Sequence, residues 1–223
     1  TAVDAAEDNQ EVCHKVNVDG TANIAKMCGK LDIPMIYIST DYVFDGTGHR
    51  PYRESDKVNP ISQYGTTKRQ GETILLALAP ESIIIRTAWL YSTFGHNFVK
   101  TMLRLADTQP EIRVVSDQIG TPTYASDLAR AILRILRSHQ WVPGIYHFTN
   151  EGAASWYDFA HAIFRLARKD VKLTPIPTED FPTPAARPAY SILDRQRIKA
   201  TYGVEIPHWE DALEDCLRKL NVL

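Results

Sequence analysis

The sequence has few cysteines, no long apolar run and no excess of either charge. Its 223 residues include three cysteines, Cys13, Cys28 and Cys216, which form no CxxC pair. An odd number without paired spacing argues against a disulfide framework and favours reduced thiols in a cytoplasmic protein. No apolar stretch approaches the ~20 residues that a membrane span needs. The formal net charge of -2 predicts no general attraction to nucleic acid or to an anionic membrane.

The glycine-rich turn of dinucleotide-binding folds is also missing. Neither GxGxxG nor GxxGxxG occurs, and "DGTGH" (45–49) is too short and lies within a predicted loop. Such a turn holds a pyrophosphate at a helix N-terminus. The chain begins at "TAVDAAE" without an initiator methionine. We therefore expect that it lacks the part that would carry this turn, and that an apolar sheet edge is left exposed.

What is present is typical of a globular α/β protein. The apolar fraction is 44% and the charged fraction 23%, enough for one large domain or two small ones. Helix and strand patterns alternate as in a parallel sheet, with a helix over 9–29 that ends at Gly29, a strand over 33–40, a helix capped by Ser62 and a strand over 81–91. The remaining predicted elements are helices over 97–107, 124–139, 155–169, 194–202 and 208–220, strands over 112–117 and 144–150, and an extended connector over 172–190.

Two residues of the helix after Ser62 suggest a catalytic pair. Tyr64 and Lys68 are four residues apart and therefore share one helix face. Parallel strands end at one edge of a sheet, so Thr40 and Trp89, which follow neighbouring strands, are expected nearby. An ammonium lowers the pKa of an adjacent phenol, and such a tyrosine can donate a proton to a developing alkoxide while Thr40 holds the carbonyl oxygen. Because no side chain donates hydride, the pattern predicts reduction of a ketone with a cofactor.

A structural explanation of the same residues stays open at this point. A tyrosine four residues before a lysine is common on helices by chance. Trp89 could be core, Asp41 could cap a turn, and Asn97 could be an ordinary helix N-cap. The separation of 24 residues between Thr40 and Tyr64, across one loop and into the next helix, favours the catalytic interpretation.

Several stretches, in this order, resemble the dTDP-4-dehydrorhamnose reductase family of the short-chain dehydrogenase/reductase superfamily. They are "ISTDYVFDG" (38–46), "YGTTK" (64–68), "RTAWLY" (86–91), "GHNFVKTMLRLA" (95–106), "VVSDQIGTPTYASDLA" (114–129), "GIYHFTNEG" (144–152) and "ARPAYSILD" (186–194). The resemblance implies a Rossmann-like parallel sheet, without its N-terminal units, and a smaller mixed α/β substrate-binding region. Residues 1–88 would be the remainder of the dinucleotide-binding domain. Residues 89–223 would mainly bind substrate, with some segments returning to the sheet.

The resemblance also implies an activity. The family reduces the 4-keto group of dTDP-4-dehydro-6-deoxy-L-mannose to dTDP-L-rhamnose, a precursor of cell-surface polysaccharide, with NADPH or alternatively NADH. By position, Tyr64 would be the catalytic acid, and Thr40 would hydrogen-bond the sugar oxygen. Lys68 would lower the pKa of Tyr64 and bind the nicotinamide ribose, and Thr87 would also contact the cofactor.

Further residues are assigned by the resemblance alone. The expected substrate contacts are Asp41, Tyr42, Trp89, Asn97 and Phe98, with Gln118 and Pro122 in the segment that walls the nucleotide pocket. Tyr190 departs from the family, which more often has a smaller polar residue there. Some members use magnesium at a dimer contact, so a homodimer and Mg²⁺ are expectations without assigned residues. The acidic candidates Glu7, Glu179, Asp180 and Asp215 do not show the spacing of metal ligands.

Two alternatives remain from the sequence. One is a non-catalytic partner protein, because the regulatory subunit of methionine adenosyltransferase resembles the same family. The other keeps the fold but changes the chemistry to sugar epimerisation. The presence of Asp41 directly after Thr40 weighs against epimerisation.

Overall fold

The structure is a computed structural model and describes residues 2–223. The chain divides into two compact units. The first unit contains the described residues up to Thr87 together with Ser138–Phe148 and Thr183–Gly203, and the second contains Ala88–Arg137, Thr149–Pro182 and Val204–Leu223. Within the described residues, no helix combines the length and apolarity required to cross a membrane.

The secondary structure follows the predicted alternation of helices and strands. The helices are α1 (Val3–Asp8), α2 (Gln10–His14), α3 (Gly20–Leu31), α4 (Gln63–Leu78), α5 (Phe98–Ala106), α6 (Ala125–Leu136), α7 (Trp156–Leu166), α8 (Gln196–Tyr202) and α9 (Trp209–Lys219). The strands are β1 (Ile36–Thr40), β2 (Ile83–Thr87), β3 (Leu90–Tyr91), β4 (Glu111–Val115), β5 (Ile119–Gly120), β6 (Thr123–Tyr124), β7 (Gly144–His147), β8 (Ala154–Ser155) and β9 (Lys172–Ile176). A π-helical turn, Lys15–Asp19, joins α2 to α3.

The first unit is built on a three-stranded parallel sheet in the order β1-β2-β7. Every residue of the central strand β2 is buried, as its continuous β-branched run predicts for a strand covered on both faces. One face packs on α3 and α4 through a cluster that includes Ala25, Tyr37, Leu75 and Ile84. This packing fixes α4, which carries Tyr64, over the sheet.

Helix α4 begins as predicted, with Ser62 as its cap. The Ser62 hydroxyl accepts a hydrogen bond from the Gly65 backbone N–H at 3.1 Å. A side chain at Gly65 would overlap the carbonyl of Tyr42, in the turn after β1. The glycine therefore allows the first turn of α4 to lie directly against the carboxyl end of β1.

The predicted helix over 9–29 is longer than expected and does not end at Gly29. It continues to Leu31 and ends at Asp32, which adopts the left-handed conformation with φ of 53°. Gly29 instead allows close packing, because a Cβ there would overlap the carbonyl oxygen of Leu78 on α4. The prediction was wrong because a glycine at a helix-helix contact and a glycine at a helix end give the same sequence signal.

Apolar residues of this helix form an exposed stripe. Each exposes more than half of its surface, and they are Val12, Val16, Ile24, Met27 and Leu31. The buried residues lie on the other face and include Val18, Thr21 and Ala25. Within residues 2–223, β1 pairs only with β2, so its other edge has no partner strand.

The second unit contains three small two-stranded sheets around a helical core. Strand β3 pairs with β6 and β4 with β9, both parallel, while β5 pairs antiparallel with β8. Helices α5, α7 and α9 share one apolar cluster with side chains from these strands, which includes Tyr91, Phe159, Ile163 and Leu213.

The structure differs from the prediction in two segments, 81–91 and 172–190. The predicted strand over 81–91 is two strands, because Trp89 adopts a left-handed φ of 47° that interrupts the extended chain between β2 and β3. The segment over 172–190 is not only a connector, since its first residues form β9. Pro175 argues against a strand in the sequence, because proline has no N–H to donate. The residue is tolerated because β9 lies at an edge of its two-stranded sheet.

Candidate active site

Thr40, Tyr64 and Lys68 come together in the first unit. Thr40 is the last residue of β1, and its side chain hydrogen-bonds with the Tyr64 hydroxyl. Lys68 Nζ donates a hydrogen bond to the carbonyl of Ile38 at 2.8 Å and lies 4.0 Å from the centre of the Tyr37 ring. A phenol, a hydroxyl and an ammonium therefore meet at the carboxyl end of β1, where a parallel sheet binds ligands.

Burial decides the protonation of these groups. It raises the pKa of Tyr64 to about 12, with a further increase from the nearby Asp41, while the hydrogen bond to Thr40 opposes it. Burial also lowers the pKa of Lys68 to about 8, against the opposing charge of Glu72. Burial therefore sets the pKa of Tyr64 above its ordinary value of 10, and the expected contribution of Lys68 to this pKa stays a prediction.

Asp41 and Tyr42 border this group. Asp41 Oδ1 accepts a hydrogen bond from Thr40 Oγ1 at 3.1 Å, and burial raises the pKa of Asp41 to about 6 despite hydrogen bonds from Ser191 and Thr40. The Tyr42 ring lies edge-on to Tyr64, with ring centres 5.7 Å apart, and burial raises the pKa of its hydroxyl. Asp41 is not the cap of the turn, since Thr40 accepts the capping hydrogen bond from the Tyr42 backbone N–H.

Sequence reasoning missed a buried ion pair next to Lys68. Glu72 on α4 and Arg86 on β2 are almost fully buried and are joined by two hydrogen bonds, at 2.7 and 2.8 Å. Two signals could have found them. Glu72 lies four residues after Lys68 on the same helix face, and Arg86 interrupts the apolar run "IIIRT".

A second missed group lies on the helix that precedes β1. Asn17, in the π-helical turn, donates hydrogen bonds to Thr67 Oγ1 at 3.0 Å and to Cys13 Sγ at 3.3 Å. Cys13, Asn17 and Tyr64 also line a cavity of about 320 Å³ in the first unit. Apart from Asn9, the rest of its lining is small or apolar and includes Ala2, Ala5 and Val16. Tyr64 therefore borders a cavity on this side.

The residues present fit one end of a nicotinamide cofactor. Thr87 Oγ1, at the end of β2, is buried and has no hydrogen-bond partner within residues 2–223. With Tyr64 and the Lys68 ammonium, it offers hydroxyl and cationic groups of the kind that bind a ribose and an amide. No glycine-rich turn for the phosphates occurs in the sequence.

The described residues contain no comparable site for a metal ion. Among residues 2–223, no group of three or more histidine, cysteine, aspartate or glutamate side chains is placed to hold one. Of the carboxylates considered from the sequence, Glu7 accepts from the Gln63 backbone N–H, and Asp180 and Asp215 pair with Arg113 and Lys219.

The predicted substrate residues of the second unit form an aromatic group of their own. The Trp89 indole is stacked on Trp156, with ring centres 3.6 Å apart and planes 9° apart. Phe98 packs against the same Trp156 at 4.8 Å. A left-handed backbone at a tryptophan is strained and is most often found at functional sites. The expected convergence of Trp89 with Tyr64 stays a prediction.

Other residues of this unit have clear structural roles. Asn97 is the N-cap of α5, since its Oδ1 accepts from the Lys100 backbone N–H at 3.2 Å. Gln118 is buried and donates to Thr178 Oγ1 at 3.1 Å, and Pro122 is buried next to β5. In the first unit, Tyr190 packs near Tyr52, with ring centres 6.2 Å apart. These contacts leave their roles in binding as predictions.

The fold and the Tyr64–Lys68 helix together define an α/β protein of the short-chain dehydrogenase/reductase class. The chain belongs to the family described as the RmlD substrate binding domain, whose family model matches residues 1–222.

Known relatives agree with this assignment. A dTDP-4-dehydrorhamnose reductase of Sinorhizobium fredii is 42% identical over 221 residues, which cover 95% of this chain and 75% of the relative. The crystal structure of a dTDP-4-dehydrorhamnose reductase from Clostridium acetobutylicum is 45% identical with a TM-score of 0.96, covering 99% of this chain and 78% of the other. That of a Bacillus anthracis dTDP-4-dehydrorhamnose reductase in complex with NADP is 40% identical with a TM-score of 0.94, covering 98% and 77%. The predicted family and fold class are confirmed.

Proposed function

We propose that this chain carries the catalytic and sugar-binding part of an NADPH-dependent reductase. It converts the 4-keto group of dTDP-4-dehydro-6-deoxy-L-mannose to the hydroxyl group of dTDP-L-rhamnose, which serves polysaccharide biosynthesis. The observation that carries this proposal is the meeting of Thr40, Tyr64 and Lys68 at the end of β1. The curated relatives named as dTDP-4-dehydrorhamnose reductases support the same reaction.

The chemistry of the residues accounts for the proton transfer. Reduced nicotinamide, when bound, supplies the hydride. Tyr64 holds its proton at neutral pH, because its pKa is raised to about 12, and donates it to the ketone oxygen as negative charge develops there. The Thr40 hydroxyl holds the same oxygen. The Lys68 ammonium, with a pKa of about 8, is mostly charged near neutral pH and stabilises the phenolate that remains.

Each unit contributes expected substrate contacts. In the first unit, Asp41 and Tyr42 orient the sugar. In the second unit, Trp89 packs on the sugar face while Trp156 supports its indole, and Asn97 and Phe98 contact the nucleotide part. Gln118 and Pro122 are the proposed wall of the nucleotide pocket.

The Bacillus anthracis relative in complex with NADP supports NADPH as the donor, with NADH as an alternative, and the proposed cofactor contacts are Tyr64, Lys68 and Thr87. Among residues 2–223 no group of three or more histidine, cysteine, aspartate or glutamate side chains is placed to hold magnesium, and the proposed mechanism does not use it. A homodimer and a cytoplasmic location stay predictions from the sequence.

One assay separates this function from the two alternatives. The protein is incubated with dTDP-4-dehydro-6-deoxy-L-mannose and NADPH, and NADPH absorbance is followed together with NMR of the sugar product. A reductase oxidises one NADPH per sugar reduced. An epimerase changes the sugar configuration without net NADPH loss, and a regulatory subunit does neither. The regulatory alternative is not favoured, because the curated relatives named above are reductases.

A further inference from the structure

A buried carboxylate lies one helical turn beyond Lys68. Glu72 has no exposed surface, and its oxygens accept four hydrogen bonds. Ser39 Oγ donates to Oε1 at 2.6 Å, Arg86 donates from Nε to Oε1 at 2.8 Å and from Nη2 to Oε2 at 2.7 Å, and Arg69 donates to Oε2 at 2.9 Å. The carboxylate therefore joins α4 to the ends of β1 and β2.

Two side chains of α4, Glu72 and Lys68, bind the two residues that precede Thr40. Ser39 directly precedes Thr40 at the end of β1, and its hydroxyl is held by Glu72. The Lys68 ammonium is bound to the preceding residue of the same strand, through the carbonyl of Ile38. Because α4 is bound to β1 at two consecutive residues, Thr40 cannot shift against Lys68 without breaking a buried hydrogen bond.

We infer that Glu72 is a positioning residue for the proposed reduction, which holds Thr40 and Lys68 in place and sustains the positive charge of Lys68. Burial favours the neutral amine, and the charge of Glu72 opposes that effect. If Glu72 were neutral, Arg86 would become an uncompensated buried cation. Its charge would then lower the pKa of Lys68, as burial does. The other charged or titratable groups in this region are Tyr37 on β1, Arg86 on β2, Cys13 on α2, Asp41 and Tyr42 in the turn after β1, and Tyr64 and Arg69 on α4.

The direct test is to titrate Lys68 in the Glu72→Gln variant. The titration is monitored by NMR of lysine labelled with carbon-13 at Cε, and the Lys68 signal is assigned by its loss in Lys68→Arg. We expect the pKa of Lys68 to fall by about one pH unit from its wild-type value. With a wild-type pKa of about 8, the neutral fraction at about pH 7.5 rises from about one quarter to about three quarters. The alkaline limb of the kcat profile moves to lower pH by the same amount, whereas KM for the keto sugar changes little.

A matched control is Glu11→Gln, which makes the same chemical change in an exposed pair with Lys15 on the same unit. It should leave both the Lys68 titration and turnover at wild-type values. Ser39→Ala removes one hydrogen bond but no charge, so it should lower kcat severalfold without moving the Lys68 titration. A folded Glu72→Gln protein with a wild-type Lys68 titration and pH profile would overturn the inference.

If Glu72→Gln does not fold, the double variant Glu72→Leu/Arg86→Met removes both buried charges and keeps the side-chain volume. The pKa of Lys68 is still expected to fall, by less than in Glu72→Gln because the Arg86 charge is removed as well, and a wild-type titration in this variant would equally contradict the inference. The kinetic part rests on the proposed function, but the lysine titration does not. A wild-type protein with no turnover and a Lys68 pKa that responds to Glu72 would therefore refute the reductase proposal and leave this charge effect intact.

Discussion

At the residue scale, burial shifts the pKa values of Tyr64, Asp41 and Lys68 more strongly than neighbouring charge does. It is the largest cause of the raised pKa of Tyr64 and Asp41 and of the lowered pKa of Lys68. A buried phenol that keeps its proton is suited to act as an acid, and a lysine with a pKa of about 8 remains mostly charged near neutrality. The same environment makes the site sensitive to any loss of a buried partner.

His147 gives a pH dependence of stability that can be measured. It is fully buried at the end of β7, its Nδ1 lies 3.1 Å from the Tyr52 carbonyl oxygen, and burial lowers its pKa to about 3 from 6.5. The unfolded chain therefore takes up a proton first as pH falls. We expect the stabilising contribution of neutral His147 to be complete above about pH 6.5 and to fall by about 1.4 kcal/mol per pH unit down to about pH 3.

The comparison is urea unfolding of the wild type and of His147→Gln between about pH 7 and pH 4. The glutamine has no titrating group, so the difference in unfolding free energy between the two proteins should change steadily below about pH 6.5. Other groups, such as Asp41, contribute to both curves and cancel. Parallel curves would contradict the burial of a neutral histidine.

Much of the proposed catalytic group could be predicted at this scale, but the pKa values of its members could not. Thr40 at a strand end and Tyr64 and Lys68 on one helix face follow from periodicity and spacing. The raised pKa of Tyr64 depends on how completely the tertiary structure covers it. The Glu72–Arg86 pair joins residues 14 positions apart on different elements, a contact that no local pattern indicates.

At the scale of elements, close helix packing explains where sequence signals misled. Gly29 resembles a helix stop but lies inside α3, against the Leu78 carbonyl of α4. Pro175 resembles a break but lies within β9, which pairs with β4 in full register. In both cases tertiary contacts override the local preference of the residue. Whether the helix or strand continues through the glycine or proline depends on the element packed against it, which the local sequence does not show.

Two glycines of α3 should respond oppositely to alanine. Gly29→Ala places a Cβ against backbone, so we expect a loss of about 1 to 3 kcal/mol in unfolding free energy. At Gly20 the added Cβ would lie 3.5 Å from the Lys15 carbonyl oxygen, an ordinary contact, so Gly20→Ala should stabilise by up to about 1 kcal/mol. Chemical denaturation of both variants tests this, and equal effects would contradict the packing of α3 on α4.

The cap of α5 provides another element-scale test. Asn97→Ala removes the acceptor for the Lys100 backbone N–H and should cost about 1 kcal/mol, whereas Asn97→Ser retains an oxygen acceptor and most of the stability. Thermal unfolding measures the difference. If Asn97 also contacts the nucleotide, both variants raise KM for the dTDP sugar, so KM separates binding from capping. Equal stability of all three proteins would show that the cap contributes nothing.

At the scale of the whole molecule, the sequence predicted an α/β fold more successfully than its connectivity. The segments Ser138–Phe148 and Thr183–Gly203 belong to the first unit although they are distant from it in sequence. The pattern over 144–150 predicted a strand, but it could not show that β7 pairs beside β2. Strand periodicity specifies which faces are buried and not which strand is the neighbour. The functional roles assigned to the two parts of the chain stay predictions.

Tyr64 is the proposed proton donor of a keto-sugar reductase. The most direct measurement is kcat of Tyr64→Phe with NADPH and the dTDP keto sugar, with binding of the sugar nucleotide measured separately and Tyr157→Phe as the matched control. We expect kcat to fall at least about 100-fold while Kd changes less than about threefold, because only the acidic proton is lost. Tyr157→Phe should retain wild-type turnover. Turnover of Tyr64→Phe within a fewfold of the wild type would contradict the mechanism.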